Sequence, residues 1–193
     1  HDIHIKSDRF QPFDNEITIE GRGIRQLETY ELTPAWANIS FSSEPAGATI
    51  LSGGVELGKT PGTVEILEGT YEIILKRKGY KSWETILDIV ANEHQEIPLQ
   101  TLIPADGKIS IISDPSGANV TISGEYSGQT PLDVTLPPGI SYQILMSRAG
   151  FEQTAKTILV EPGEAISINR QLKPILGIVS IQVEPTGAEL FIN

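Results

Sequence analysis

Apolar and polar residues alternate along this chain with a period of two, in short runs broken by glycine and proline. Nowhere does a 3.6-residue period hold over the length of a helix. The stretch from 108 to 177 is the clearest. Residues 108–113 alternate into a turn, and 119–123 continue beyond it. Gly124 and Gly128 bracket what reads as a short loop, and Leu132–Leu136 reads Leu-Asp-Val-Thr-Leu, a half-buried strand. Pro137-Pro138-Gly139, Ala149-Gly150 and Glu161-Pro162-Gly163 then separate strand-like runs at 142–148, 153–160 and 165–172. Six or seven short antiparallel strands in seventy residues predict an all-β chain built of small β-sandwiches. Greek-key links of the immunoglobulin or transthyretin kind would join them.

The punctuation repeats. An acid-Pro-x-Gly-Ala turn occurs as Glu44, Pro45, Gly47; as Asp114, Pro115, Gly117; and as Glu184, Pro185, Gly187, seventy residues apart each time. An acid at the first turn position can bond the backbone two residues on, proline presets φ, and glycine suits the end of the turn. Residues 1–37 read as the second half of a unit. Their Ile3, Ile5, Phe10, Leu32 and Pro34 recur as Ile73, Leu75, Tyr80, Leu102 and Pro104, then as Ile144, Met146, Phe151, Leu172 and Pro174. The predicted organisation is a C-terminal half-repeat at 1–37, full repeats at 38–107 and 108–177, and the start of another at 178–193. A sandwich of seventy residues buries only about 60% of its unfolded surface, so each unit is expected to be marginal alone. The connectors 102–107 and 172–177 are short and contain proline, which predicts a stiff, elongated array rather than swinging beads. The partial repeats at both ends suggest a piece of a longer parent chain carrying other domains. Their open strands predict self-association, with residues 178–193 adding to a neighbour's sheet or to residues 1–37 of one.

Several of these motifs together resemble the PEGA domain. They are the acid-Pro-x-Gly-Ala turn, Gly58-Lys-Thr-Pro61 and Gly128-Gln-Thr-Pro131, the Pro-Pro-Gly turn, and the pairs Gly79-Tyr80 and Gly150-Phe151. The likeness spans nearly the whole chain. It departs from the pattern at Arg9-Phe10 and at Leu67-Glu68-Gly69. The resemblance implies a tandem β-sandwich module of bacterial or archaeal envelope proteins, periplasmic or extracellular, acting as a spacer or interaction unit beside another domain. It brings no catalytic residues and no cofactor.

Charge narrows the partners. A formal charge of −11 and a pI near 4.7 disfavour nucleic acid and anionic membranes, which need a basic face. With no cysteine, disulfides and thiol chemistry are excluded. The longest apolar run, 175–181, is interrupted by Gly177 and Ser180 and is too short to span a bilayer.

Candidate chemistry is sparse. Gly53-Gly-Val-Glu-Leu-Gly58-Lys59-Thr60 fits the phosphate-loop pattern, but Pro61-Gly62 follows where a helix must start, and the next unit lacks the lysine. His1 and His4, three apart on a strand, point to opposite faces and cannot easily share a metal ion. His94 sits in a solvated turn without a second histidine, and no nucleophile–base–acid set emerges. Lys76, Arg77 and Lys78 form a basic cluster at one hairpin, absent as a cluster from the other copies. With Tyr80 and Trp83 it is the one candidate ligand surface, for an envelope protein or a glycan. The expectation is a non-enzymatic scaffold without metal or cofactor; a glycan- or peptidoglycan-binding module is the alternative.

Overall fold

A computed structural model of the chain describes residues 1–182 together with Glu184 and Phe191. Eighteen strands and no helix make up the described residues, so none of them forms a helix long and apolar enough to cross a membrane. The chain divides into two compact units, His1–Ala105 and Asp106–Asn193.

The first unit opens with a hairpin of β1 (Asp2–Ile5) and β2 (Phe13–Glu16), in which His4 lies opposite Asp14. Nine further strands follow: β3 (Trp36–Phe41), β4 (Ser43–Glu44), β5 (Thr49–Ser52), β6 (Val55–Lys59), β7 (Gly62–Leu67), β8 (Gly69–Lys76), β9 (Trp83–Ile89), β10 (Gln95–Glu96) and β11 (Gln100–Thr101). They form a four-stranded sheet in the order β6-β5-β8-β9 and a three-stranded sheet in the order β10-β3-β7, with β11 pairing β4.

The second unit repeats the scheme with β12 (Gly107–Asp114), β13 (Asn119–Ile122), β14 (Glu125–Gln129), β15 (Leu132–Leu136), β16 (Ser141–Ser147), β17 (Thr154–Leu159) and β18 (Ala165–Gln171). Its sheets run β14-β13-β16-β17 and β15-β12-β18. The registers of the antiparallel ladders correspond residue for residue. Ile39 faces Val64 as Ile109 faces Val134, and Ile50 faces Leu75 as Val120 faces Met146. The β5–β6 ladder has a bulge between Ile50 and Leu51, and β13–β14 has one between Val120 and Thr121. The bridges Phe10–Pro34, Tyr80–Pro104 and Phe151–Pro174 tie the aromatic in the connection between two hairpin strands to a proline 23 or 24 residues further on.

Three details differ from the pattern read along the sequence. The stretch between Gly124 and Gly128, expected as a loop, is the edge strand β14: the glycines let the chain reverse at Gly124 and bulge at Gly128, and it still pairs with β13. The closing strand runs parallel to the first, β18 beside β12, because it crosses from one sheet to the other after the 161–163 turn. In the first unit that strand is split. Pro98 cannot donate to the ladder, and the neighbouring Leu99 is left 61% exposed, so only β10 and β11 pair.

Each unit has one core between its two sheets. Ile39, Phe41, Ile50, Ile73 and Leu75 are fully buried in the first, and Ile109, Ile111, Val120, Ile144 and Met146 in the second. These are the apolar positions of the period-two pattern. Residues 175–182 carry no strand, and Pro185 and Gly187 of the third turn lie outside the described residues. The expected strand pairing of 178–193 lies largely outside them too.

Candidate functional site

The recurring motifs converge on one assembly in each unit. Ser43, at the start of β4, places its Oγ 2.6 Å from Thr60 Oγ1 and donates to the Pro45 carbonyl at 2.9 Å. The Ala48 N–H donates to Thr60 Oγ1 at 2.9 Å. Each hydroxyl carries one proton, so the direction follows: Ala48 N–H to Thr60, Thr60 to Ser43, Ser43 to the Pro45 carbonyl. Two backbone bonds brace the same contact, Gly47 N–H to the Thr60 carbonyl at 2.7 Å and Thr60 N–H to the Ala48 carbonyl at 2.9 Å. The second unit repeats the relay through Ala118, Thr130, Ser113 and Pro115, at 3.0, 2.5 and 2.8 Å. Ser43, Thr60, Ser113 and Thr130 are the buried polar residues of the described core, and no buried side-chain polar atom there lacks a partner. Burying them is tolerable only because each is bonded.

The turn is therefore held differently from the reading by residue type. Glu44 and Asp114 are exposed, and among the described residues their carboxylates make no hydrogen bond. The serine before the acid and the threonine of Gly-x-Thr-Pro supply the side-chain bonds instead. Gly47 and Gly117 have φ of 87° and 81°, which explains glycine at both. Ala48 and Ala118 are fully buried. The bonds preceding Pro45, Pro61, Pro115 and Pro131 are cis.

The phosphate-loop match is absorbed by this assembly. Its threonine, Thr60, is buried in the relay, Lys59 lies exposed at the end of β6, and strand β7 follows where nucleotide chemistry needs a helix.

The basic hairpin separates into two parts. Lys76 and Lys78 are exposed, whereas Arg77 is half-buried with its guanidinium 5.6 Å from the Tyr80 ring centre. Arg77 has a counterpart: Arg148 lies 5.5 Å from the Phe151 ring centre and donates to the Ser116 carbonyl in the turn. The arginine alone recurs, two residues before the Gly-aromatic pair, a signal masked by the flanking lysines. Tyr80 and Trp83 are partly buried and packed against the core.

His4 Nδ1 meets Asp14 Oδ1 at 2.6 Å on the exposed hairpin, and the His1 amino group donates to the Ile17 carbonyl at 2.8 Å. His94 is exposed in its turn, and no metal-binding group of three or more His or acidic side chains occurs among the described residues. A groove of about 510 Å³ lies on the outer face of the β15-β12-β18 sheet, lined by Lys108, Ser110, Asp133, Thr135 and Ser167. These side chains include neither a histidine nor a paired carboxylate.

Two successive units with one topology, one relay and one arginine–aromatic contact define a tandem of small all-β, sandwich-like domains. The chain belongs to the PEGA domain family, whose model matches residues 36–102 and 106–175. No curated protein matches the chain. Among solved structures, it is similar to the Bacillus anthracis TIE protein at 15% identity and a TM-score of 0.36. That match covers 89% of this chain but only 39% of the TIE protein. It is also similar to the shaft pilin SpaA of Lactobacillus rhamnosus GG at 8% identity and a TM-score of 0.26, covering 74% of this chain and 99% of that one.

Proposed function

We propose that this chain is a non-enzymatic spacer of the cell envelope, a stiff tandem of PEGA domains that holds or presents another domain of a longer parent protein. The observation that carries the reading is the recurrence itself. The residues common to both units (the Ser–Thr relay, the turn glycine, the arginine over its aromatic) all serve to build the domain. A repeated catalytic or ligand-binding set would recur in the same way, and the recurring positions are structural instead. Short proline-bearing connectors supply the stiffness.

The absence of native cysteine makes the test direct. Dyes at Glu56→Cys and Glu152→Cys, one exposed site in each unit, should report a narrow distance distribution by single-molecule energy transfer. A broad distribution like that of a Gly/Ser linker overturns the stiff-spacer reading. The alternative, a glycan-binding module, needs a platform other than Tyr80 and Trp83, which pack against the core. Specific retention on a glycan or peptidoglycan array would favour it.

A further inference from the structure

Among the described residues no further strand pairs with β9 beyond β8, and of its backbone the Asp88 carbonyl accepts from Gln95 Nε2 at 3.1 Å. β9 is the last strand of the β6-β5-β8-β9 sheet, and its neighbour on one side is β8. Trp83, Thr85, Leu87 and Ile89 form its inner face, and Glu84, Ile86 and Asp88 its outer face. Ile86 is 72% exposed, and its cross-strand partner on β8 is Glu72. An isoleucine thus stands in water among Glu72, Glu84 and Asp88. Among the described residues none of these acids has an ion-pair partner.

The second unit treats the corresponding edge differently. Lys156 on β17 faces Ile144 as Thr85 on β9 faces Ile73, which sets a charge on the inward side of that edge strand. Inward-pointing charges on edge strands discourage pairing with another chain. The residues flanking Lys156 on the outer side of β17 are Ala155 and Thr157, so the acidic frame is missing as well. One edge is guarded and the other is not.

We infer that β9 is a docking edge for an extended segment of another protein in which basic and apolar side chains alternate. Such a segment would extend the sheet by main-chain hydrogen bonding, set its basic side chains on the outer face beside Glu84 and Asp88 with their stems over Ile86, and set its apolar ones on the inner face beside Trp83 and Leu87. A second copy of this chain fits poorly: antiparallel pairing centred on Ile86 would place Glu84 opposite the partner's Asp88, and like charges directly opposite destabilise a sheet. The surface would work in this way whether or not the chain spaces another domain.

The test uses the whole chain with two short peptides, one alternating lysine with valine and one alternating glutamate with valine. The lysine peptide should bind saturably, weaken as salt rises, and slow hydrogen exchange on β9 but not on β17. Thr85→Lys, which transplants the guard of the second unit, should weaken binding about tenfold or more. The double charge reversal Glu72→Lys/Glu84→Lys alters exposed side chains only and should shift preference to the glutamate peptide, which keeps the inference testable should Thr85→Lys fail to fold. Equal binding of both peptides, protection at another edge, no saturable binding, a charge reversal without effect, or self-association through β9 in place of peptide binding would overturn it.

Discussion

Ser43 and Thr60, seventeen residues apart, share a buried hydrogen bond of 2.6 Å, and Ser113 and Thr130 repeat it at the same separation. The pair joins two motifs that look independent along the chain. Thr60→Val keeps the shape of the side chain but ends the relay. The Ala48 N–H then loses its acceptor, and Ser43 its donor. Leaving a buried donor unpaired costs about 1–3 kcal/mol. Both tryptophans, Trp36 and Trp83, lie in the first unit, so fluorescence reports its unfolding alone. Thr60→Val should lower the denaturation midpoint seen by fluorescence, and Thr60→Ser should largely restore it. Thr130→Val should leave that fluorescence midpoint in place and destabilise only the second unit, detected by circular dichroism.

The turn glycines provide a second check. Gly117 has φ of 81° and open space where a Cβ would stand, so an alanine there meets only the backbone penalty of the left-handed region. That penalty is roughly 1–2 kcal/mol. At Gly47 the same substitution also sets a Cβ 3.1 Å from the Arg77 guanidinium, the mobile end of a long side chain. Gly117→Ala and Gly47→Ala should therefore destabilise their own units by similar amounts. A Gly47→Ala cost several times larger would show that Arg77 cannot yield.

The sandwich was legible because alternation and punctuation act locally. A period of two places Ile39, Ile50 and Ile73 inward whatever their distant partners, and seventy-residue spacing shows that the same solution is used again. The relay was not legible. Ser43 and Thr60 are ordinary residue types, and their meeting depends on how β4 and the end of β6 approach through the core. The acid beside the proline drew attention because acids often bond turns, yet the bonding group is its neighbour. Strand β14 was hidden by its glycines, which signal a loop locally but here permit a reversal and a bulge. The recurrence of Arg77 as Arg148 was present in the alignment of repeats, obscured by two exposed lysines.

The N-terminal hairpin should owe its place on the first unit more to an aromatic contact than to charge. Phe10 meets Trp36 edge-on, with ring centres 5.3 Å apart, while Arg9 lies 4.8 Å from the Trp36 ring centre and pairs with Glu65 at 2.6 Å. Both partners of the ion pair are about half exposed (51% and 50%), and such surface pairs contribute about 0.2–1 kcal/mol. Aromatic pairs add about 0.5–1.5 kcal/mol beyond the area they bury. In double-mutant cycles, Phe10→Ala with Trp36→Ala should show the larger coupling. Arg9→Ala with Glu65→Ala should show a smaller one that fades in high salt. The reverse order would make the ion pair the principal contact.

Trp83 separates a structural aromatic from a binding one. A sugar-stacking tryptophan offers a ring face to solvent and contributes little to folding. Trp83 instead sits on the inner side of β9, beside Leu87, with its ring against the core of the first unit. Truncating it removes packed surface and leaves a partly fillable gap at the sheet edge. The cost should fall at or below the low end of the range for buried aromatics, about 2–3 kcal/mol. Trp83→Ala should accordingly lower the midpoint of the first unit, read through the remaining Trp36. Any glycan retained by the parent chain should be retained by the variant at a temperature where both are folded. A variant with unchanged stability and a lost glycan signal would mean that the ring turns outward in solution and that the sandwich edge, not its core, is where Trp83 acts.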